Sequence, residues 1–305
     1  MLFVDLPLPF GAGASLKHKI IVQGKGQVPD DALGEYWAAL GTRYDRVVNL
    51  CEAVEGSLLT LPGRSNDTWS DDMRRRELGS VNYVERMHDI AGVEHYPRPG
   101  VHLLDAEVEV WRRKFGDLPA GRPIIGWVLN GSGPQKVWPW AAEAIVRLLY
   151  RCNPIIVFLG GKDSAELQDL VTDQIQRFAG DAIRGKPISI VKACGNLQVR
   201  ESIAIATLCT VMVGPETGLM NAVSHCPEVG KVVLLSHSSP TNLTRDWPKT
   251  ISLGADPVKV PCFPCHRMHL DWSRCNRHPS GAAACAAGIT VDPVVNAVVA
   301  LLEDA

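Results

Sequence analysis

The chain has 305 residues, 46% of them hydrophobic and 21% charged, an ordinary globular composition that excludes a largely disordered chain. Lys+Arg 31 against Asp+Glu 33 leaves a net charge of −2, so no overall positive field recruits nucleic acid or an anionic membrane. No apolar run approaches the ~18 residues that span a bilayer, and the start, Met1-Leu-Phe-Val-Asp5, lacks the basic segment of a secretory signal, which predicts a cytoplasmic protein.

At roughly 100–200 residues per domain the length reads as two domains or one large α/β unit. The first part is the less regular. A helix is predicted over 31–40 and a strand over 44–50; 63–76 is polar and reads as an exposed loop; 80–91 is helical, with Val84, Met87, Ile90 and Ala91 spaced for one face. The breaker-rich stretch Gly116-Asp-Leu-Pro-Ala-Gly-Arg-Pro123 predicts a boundary, dividing the chain into 1–119 and 120–305.

From Ile124 onward, short apolar runs alternate with amphipathic helical patterns, as in βαβ units around a parallel sheet. Strands are predicted over 124–129, 154–159, 188–191, 210–213 and 231–235. Helices are predicted after Pro139, over 163–179, where Leu167, Leu170, Val171, Ile175 and Phe178 mark one face, and at the C-terminal end around Val294–Leu302. Trp127, Trp138 and Trp140 lie in element-like contexts that predict core packing rather than sugar stacking.

Four stretches fall where parallel sheets bind ligands, at the carboxyl ends of strands. In Leu129-Asn-Gly-Ser132-Gly-Pro-Gln-Lys136 a glycine turn and a lysine precede a helix, which suits a phosphate group or is a solvated loop. Leu159-Gly160-Gly161-Lys-Asp163 permits close ligand approach or simply makes a tight turn. Gly214-Pro-Glu216-Thr217-Gly218-Leu-Met-Asn221 clusters a carboxylate, a hydroxyl and an amide at a helix start, fitting sugar hydroxyls and a diphosphate, or a helix cap. Finally, Glu52 and Glu55, three apart, share a face if helical and could supply a general base, or be surface glutamates.

Taken in order, these stretches resemble glycosyltransferase family 9, the heptosyltransferases of lipopolysaccharide core synthesis. Lys136-Val-Trp138-Pro139 is similar to the lysine before Trp-Pro that opens the family's second domain. Leu159-Gly160-Gly161 matches its strand ending in Gly-Gly, and Gly214-Pro-Glu216-Thr217-Gly218-Leu-Met-Asn221 its Gly-x-Asp-Thr-Gly-x-x-His turn. The likeness covers 124–302 well and 44–93 weakly.

The resemblance implies a GT-B fold, with two Rossmann-like domains whose parallel sheets face a cleft. It implies an ADP-sugar or other nucleoside-diphosphate sugar as donor, heptose or hexose-like in its sugar, and a lipopolysaccharide-like glycan or glycolipid acceptor met at most peripherally at the inner membrane face. Transfer would require no metal or other cofactor. Ser132, Lys136, Gly160, Gly161, Glu216, Thr217, Gly218 and Asn221 would bind the donor. Two departures stand out: Glu216 replaces aspartate and Asn221 replaces histidine. The family's early strand and catalytic Asp loop also have no good match near the start, since Asp5 lies in Phe3-Val-Asp-Leu-Pro. Either the first domain lacks its first βα unit, or Glu55 or Glu52 serves as the base. The alternatives are a catalytically silent nucleotide- or glycan-binding protein and a nucleotide-sugar hydrolase or epimerase.

Of nine cysteines, Cys51, Cys152, Cys194, Cys209 and Cys226 are scattered in apolar contexts and predict buried thiols. Cys262, Cys265, Cys275 and Cys285 crowd one segment beside His266, His269 and His278. A structural zinc site, disulfide pairing and unlinked thiols are all open readings of that segment.

Overall fold

The computed structural model describes residues 28–29, 32–45, 70–96, 100–179, 189–266 and 275–304. Before the sheet, the described elements are helices: α1 (Leu33–Gly41), α2 (Asp71–Leu78), α3 (Tyr83–Ala91) and α4 (Asp105–Gly116). The strand predicted over 44–50 lies outside the described residues from 46 onward.

The 63–76 loop is corrected in part, because 71–78 is helical. Its chain is very polar, but Ser70 Oγ caps it by accepting from the Met73 N–H at 3.2 Å. Arg75 bonds Asp72 at 2.9 Å on the same helix and the Pro261 carbonyl across the fold at 2.5 Å. Helix α3 begins at Asn82, whose Oδ1 accepts from the N–H groups of Val84 and Glu85. It ends at Gly92, at φ 66°, where the left-handed conformation favours glycine.

Six strands follow: β1 (Ile124–Val128), β2 (Ile155–Leu159), β3 (Ser189–Lys192), β4 (Val211–Pro215), β5 (Gly230–Leu234) and β6 (Thr250–Leu253). They form one sheet in the order β3-β2-β1-β4-β5-β6, and every neighbouring pair is parallel. Helices α5 (Ala141–Cys152), α6 (Ala165–Ala179), α7 (Val199–Leu208), α8 (Gly218–Ala222), α9 (Ala284–Gly288) and α10 (Val291–Glu303) complete the chain.

β1, β2, β4 and β5 are buried nearly along their whole length, and strands buried on both faces are largely apolar rather than alternating. Ile125, Trp127, Ile156, Phe158, Val213 and Val232 pack on one side with α5, α6 and α10. Val128, Val157, Leu159, Met212 and Val233 pack on the other with Ile205 and Ala206 of α7, Trp247 and Phe263. Two layers of helix thus sandwich the sheet.

Trp127 stacks on Trp138 with ring centroids 6.3 Å apart. The indole N–H of Trp138 donates to the Ile289 carbonyl at 2.8 Å, and that of Trp140 to the Ala287 carbonyl at 3.0 Å. These rings are core, as their context predicts. Arg122, at the entry to β1, donates to the carbonyls of Asn153 and Pro154 and to Ser189 Oγ, tying the first ends of β1, β2 and β3 together. Among the described residues no helix is long and apolar enough to cross a membrane.

Candidate active site

The strand order reverses between β1 and β4: the chain runs outward from β1 to β3, then returns to start again at β4 on the other side. In such sheets the loops leaving these two strands diverge and open a crevice at their carboxyl ends. The segments that leave β1 and β4 are 129–136 and 216–221, two of those singled out from sequence.

They meet around a cavity of about 280 Å³. Ser132 and Lys136 line it from the β1 side; Glu216, Thr217, Gly218 and Asn221 line it from the β4 side. Tyr83 at the start of α3 closes it, with His237 and Leu243 from the segment after β5.

Lys136 ends a short 3-10 turn, Pro134–Lys136, and is only 5% exposed. Its Nζ donates to the Glu216 carbonyl at 2.7 Å, holding the two loops together. Gly131 makes this approach possible. A Cβ there would fall 2.5 Å from Lys136 Cδ and 2.9 Å from Thr217 Cγ2, both far inside contact distance.

The Glu216 carboxylate is the hub of the wall. Its Oε1 accepts from the Ser236 N–H at 2.6 Å, Ser236 Oγ at 2.7 Å and the His237 N–H at 2.8 Å. His237 Nδ1 lies 2.9 Å from the same oxygen, and Ser238 Oγ donates to Oε2. Burial alone would raise its pKa. The His237 ring when it carries a proton, the hydrogen bonds from that ring and from Ser238, and the His237 N–H outweigh burial and hold the carboxyl well below the usual range. The resemblance implied a carboxylate reaching for sugar hydroxyls; here it is bound by three consecutive residues of this chain.

Thr217 behaves differently. It precedes α8 with no capping bond from its side chain, and its Oγ1 is buried with no hydrogen-bond partner among the described residues. A buried hydroxyl left unsatisfied costs roughly 1–3 kcal/mol, so such a group calls for an ordered water, an ion or a ligand atom beside it. Beside it Asn221 donates its backbone N–H to the Thr217 carbonyl at 2.9 Å.

Gly160 and Gly161 stand apart from this cavity. They end β2 and lead through a 3-10 turn, Lys162–Ser164, into α6. The Gly160 carbonyl accepts from the Gly195 N–H at 3.0 Å, and Ser164 Oγ donates to Asn130 Oδ1 at 2.6 Å, which joins this turn to the β1 loop. Glu52 and Glu55 lie outside the described residues, as does Asp5. Tyr83, His237 and Leu243 escaped the sequence reading. His237 carried a usable signal, since Ser236-His-Ser-Ser239 is a polar stretch at the carboxyl end of an apolar strand.

Cys262, Cys265 and Cys275 lie near enough to Cys285 to act on its thiol. Burial first, then the neighbouring Cys265, Cys262 and Cys275, push the Cys285 thiol up to about 12. The zinc reading, however, needs ligands around a common point. Among the described residues no three His, Cys, Asp or Glu side chains stand where they could hold a metal ion, so the described residues do not fit one. His269 and the rest of 267–274 lie outside them. The thiols of Cys194 and Cys209 are buried in the core, as their sequence context predicts, while Cys152 and Cys226 are half-buried.

No family model and no curated protein matches the sequence. Among solved structures, the chain is similar to ADP-heptose lipopolysaccharide heptosyltransferase II of E. coli, with a TM-score of 0.52 and 19% identity over 90% of this chain and 80% of that one. It is also similar to a glycosyl transferase family 9 structure from Veillonella parvula, with a TM-score of 0.50 and 16% identity over 73% of this chain and 59% of that one. The chain therefore has a heptosyltransferase-like, GT-B-like α/β fold.

Proposed function

We propose that the chain is a glycosyltransferase that takes a sugar from a nucleoside-diphosphate donor and transfers it to a hydroxyl of a glycan or glycolipid. The single observation that carries this reading is the unpartnered Thr217 hydroxyl beside the buried Lys136 in the switch-point cavity. An ammonium, a hydroxyl donor and the backbone N–H groups that start α8 form a cluster suited to a diphosphate. The heptosyltransferase name of one structural neighbour favours an ADP-sugar and a lipopolysaccharide-like acceptor.

In this reading Glu55 or Glu52 takes the acceptor's hydroxyl proton as its oxygen bonds the anomeric carbon. The bond from that carbon to the diphosphate breaks, and the departing charge stays beside Lys136 and Thr217. Lys136 performs the charge neutralisation without a metal, and the acceptor is met at the cytoplasmic side of a membrane.

The test is thermal unfolding with ADP, UDP, GDP, CDP and their sugar conjugates, on wild type and Lys136→Ala. A ligand at about 100 times its Kd adds about 2.7 kcal/mol to the folded state. One diphosphate should raise the wild-type Tm, ADP first, with the shift lost in the variant. Absence of any shift at millimolar ligand would overturn the donor site. Binding without sugar transfer to any acceptor would favour the silent binding protein, and donor cleavage without an acceptor the hydrolase.

A further inference from the structure

His237 is 4% exposed and lines the cavity. Its Nδ1 lies 2.9 Å from Glu216 Oε1 and 3.0 Å from Ser236 Oγ. An ionised carboxylate can only accept, so Nδ1 carries its hydrogen toward Glu216. That contact favours a hydrogen on Nδ1 and leaves Nε2 as the second polar atom of a ring that lines the cavity. Among the described residues nothing hydrogen-bonds Nε2.

The titratable side chains that line the cavity with this ring are Glu216 after β4, Lys136 after β1 and Tyr83 at the start of α3, and His266 meets its backbone. The backbone N–H of His266 donates to the His237 carbonyl at 2.8 Å. The His266 ring is not among the side chains that line the cavity. Carboxylate, lysine and tyrosine side chains ordinarily change charge outside the span from about pH 5 to pH 8, where imidazole changes it.

We propose that His237 is a proton-linked diphosphate contact. When protonated, it donates its Nε2–H to a phosphate oxygen of a nucleoside diphosphate lying beside Lys136 and Thr217, so that binding takes up a proton. Glu216 is a positioning residue that aims the ring and stabilises its charge. The inference rests on the donor-site reading above.

The experiment is calorimetric titration of the full chain with ADP at about pH 6, 7 and 8.5, in two buffers of different ionisation enthalpy. The proteins are wild type, His237→Asn, His237→Gln and His266→Asn. Asparagine places an amide where Nδ1 sits and can keep the bond to Glu216 while deleting Nε2. Glutamine places a neutral amide near Nε2, which preserves a contact if the asparagine variant fails to fold.

Wild type should bind ADP about tenfold more tightly than His237→Asn near pH 6 and within about twofold near pH 8.5. Proton uptake should be larger in wild type and in His266→Asn than in either His237 variant. Ionisation of ADP itself is common to all and cancels in the ratio. If ADP binds with a wild-type to variant ratio that is constant across pH, or if the linkage disappears with His266→Asn, the proposal is overturned while the donor site stands. If none of ADP, UDP, GDP and CDP binds at any pH, the donor site falls and this inference with it.

Discussion

Thr217→Val separates a binding hydroxyl from a structural one. The two side chains have the same shape, and the backbone at 217, φ −134° and ψ 167°, is extended and favourable for a β-branched residue. The hydroxyl makes no capping bond to α8, so none is lost. Its Oγ1 is buried without a partner, and removing it relieves a desolvation cost of roughly 1–3 kcal/mol. We therefore expect the variant without ligand to be more stable by about 1 kcal/mol, against the usual trend of core threonines, which raises Tm by about 1–2 °C for a protein of this size. Binding should move the other way. A hydrogen bond to a charged phosphate contributes about 1.5–3 kcal/mol, so affinity for the stabilising nucleotide should fall roughly 10- to 100-fold. Urea unfolding and calorimetry of both proteins measure the two effects. A variant that is less stable without ligand, or that binds as tightly as wild type, would refute the argument.

Two further outcomes follow from groups buried in this fold. Glu216 has a folded pKa below its unfolded one, so its contribution is complete above the unfolded carboxylate value of about 4.3 and is lost as the pH falls toward the folded value; urea midpoints between about pH 7 and pH 3 should fall more steeply for wild type than for Glu216→Gln, and parallel slopes would count against it. Lys231 of β5 is fully buried with its Nζ on the Cys226 carbonyl at 2.9 Å, and burial, helped by Lys249, lowers its pKa to about 8. Its unfolded chain holds the proton more tightly, so the stability of wild type relative to Lys231→Met should rise as the pH climbs from about 8 to 10, with the variant more stable at pH 7 by about 1–3 kcal/mol; a less stable variant sinks the idea.

The sheet was legible because its central strands are buried on both faces. Runs such as Ile155-Ile-Val-Phe-Leu159 leave no other place in a domain for so much apolar surface. β6 was missed because it is short and half-buried at the sheet edge, with Ile251 and Leu253 alone on an apolar face. Helix α4 was missed because none of its residues is fully buried; Trp111 and Phe115 pack partly buried against the core on the α7 side, and Glu107 pairs with Arg200, 2.6 Å away and 93 positions on in sequence. No local pattern encodes such a pair. The cavity divides in the same way. Ser132, Lys136, Glu216, Thr217, Gly218 and Asn221 follow strands directly and could be found by the rule that ligands meet carboxyl ends. Tyr83 reaches the cavity through tertiary structure, anchored where Asn242 donates to the Leu78 and Val81 carbonyls and where Tyr83 N–H donates to the Asn242 carbonyl.

The two departures from the family pattern, Glu216 for aspartate and Asn221 for histidine, form one arrangement in space. A glutamate carries one more methylene than an aspartate, and here its carboxylate crosses from the end of β4 to the segment after β5, where residues 236–238 surround it. What it gathers there includes an imidazole. The ring that the pattern places at 221 is absent from α8, yet the same cavity holds one at 237, oriented by the carboxylate. Side-chain identity at two positions has changed, while a carboxylate, an imidazole and an amide still line one wall. Substitutions that look like losses along the chain are therefore poor grounds for calling the site defective. The deciding quantity is which groups converge on the cavity, and the Glu216–His237 bond makes them converge from two different strands.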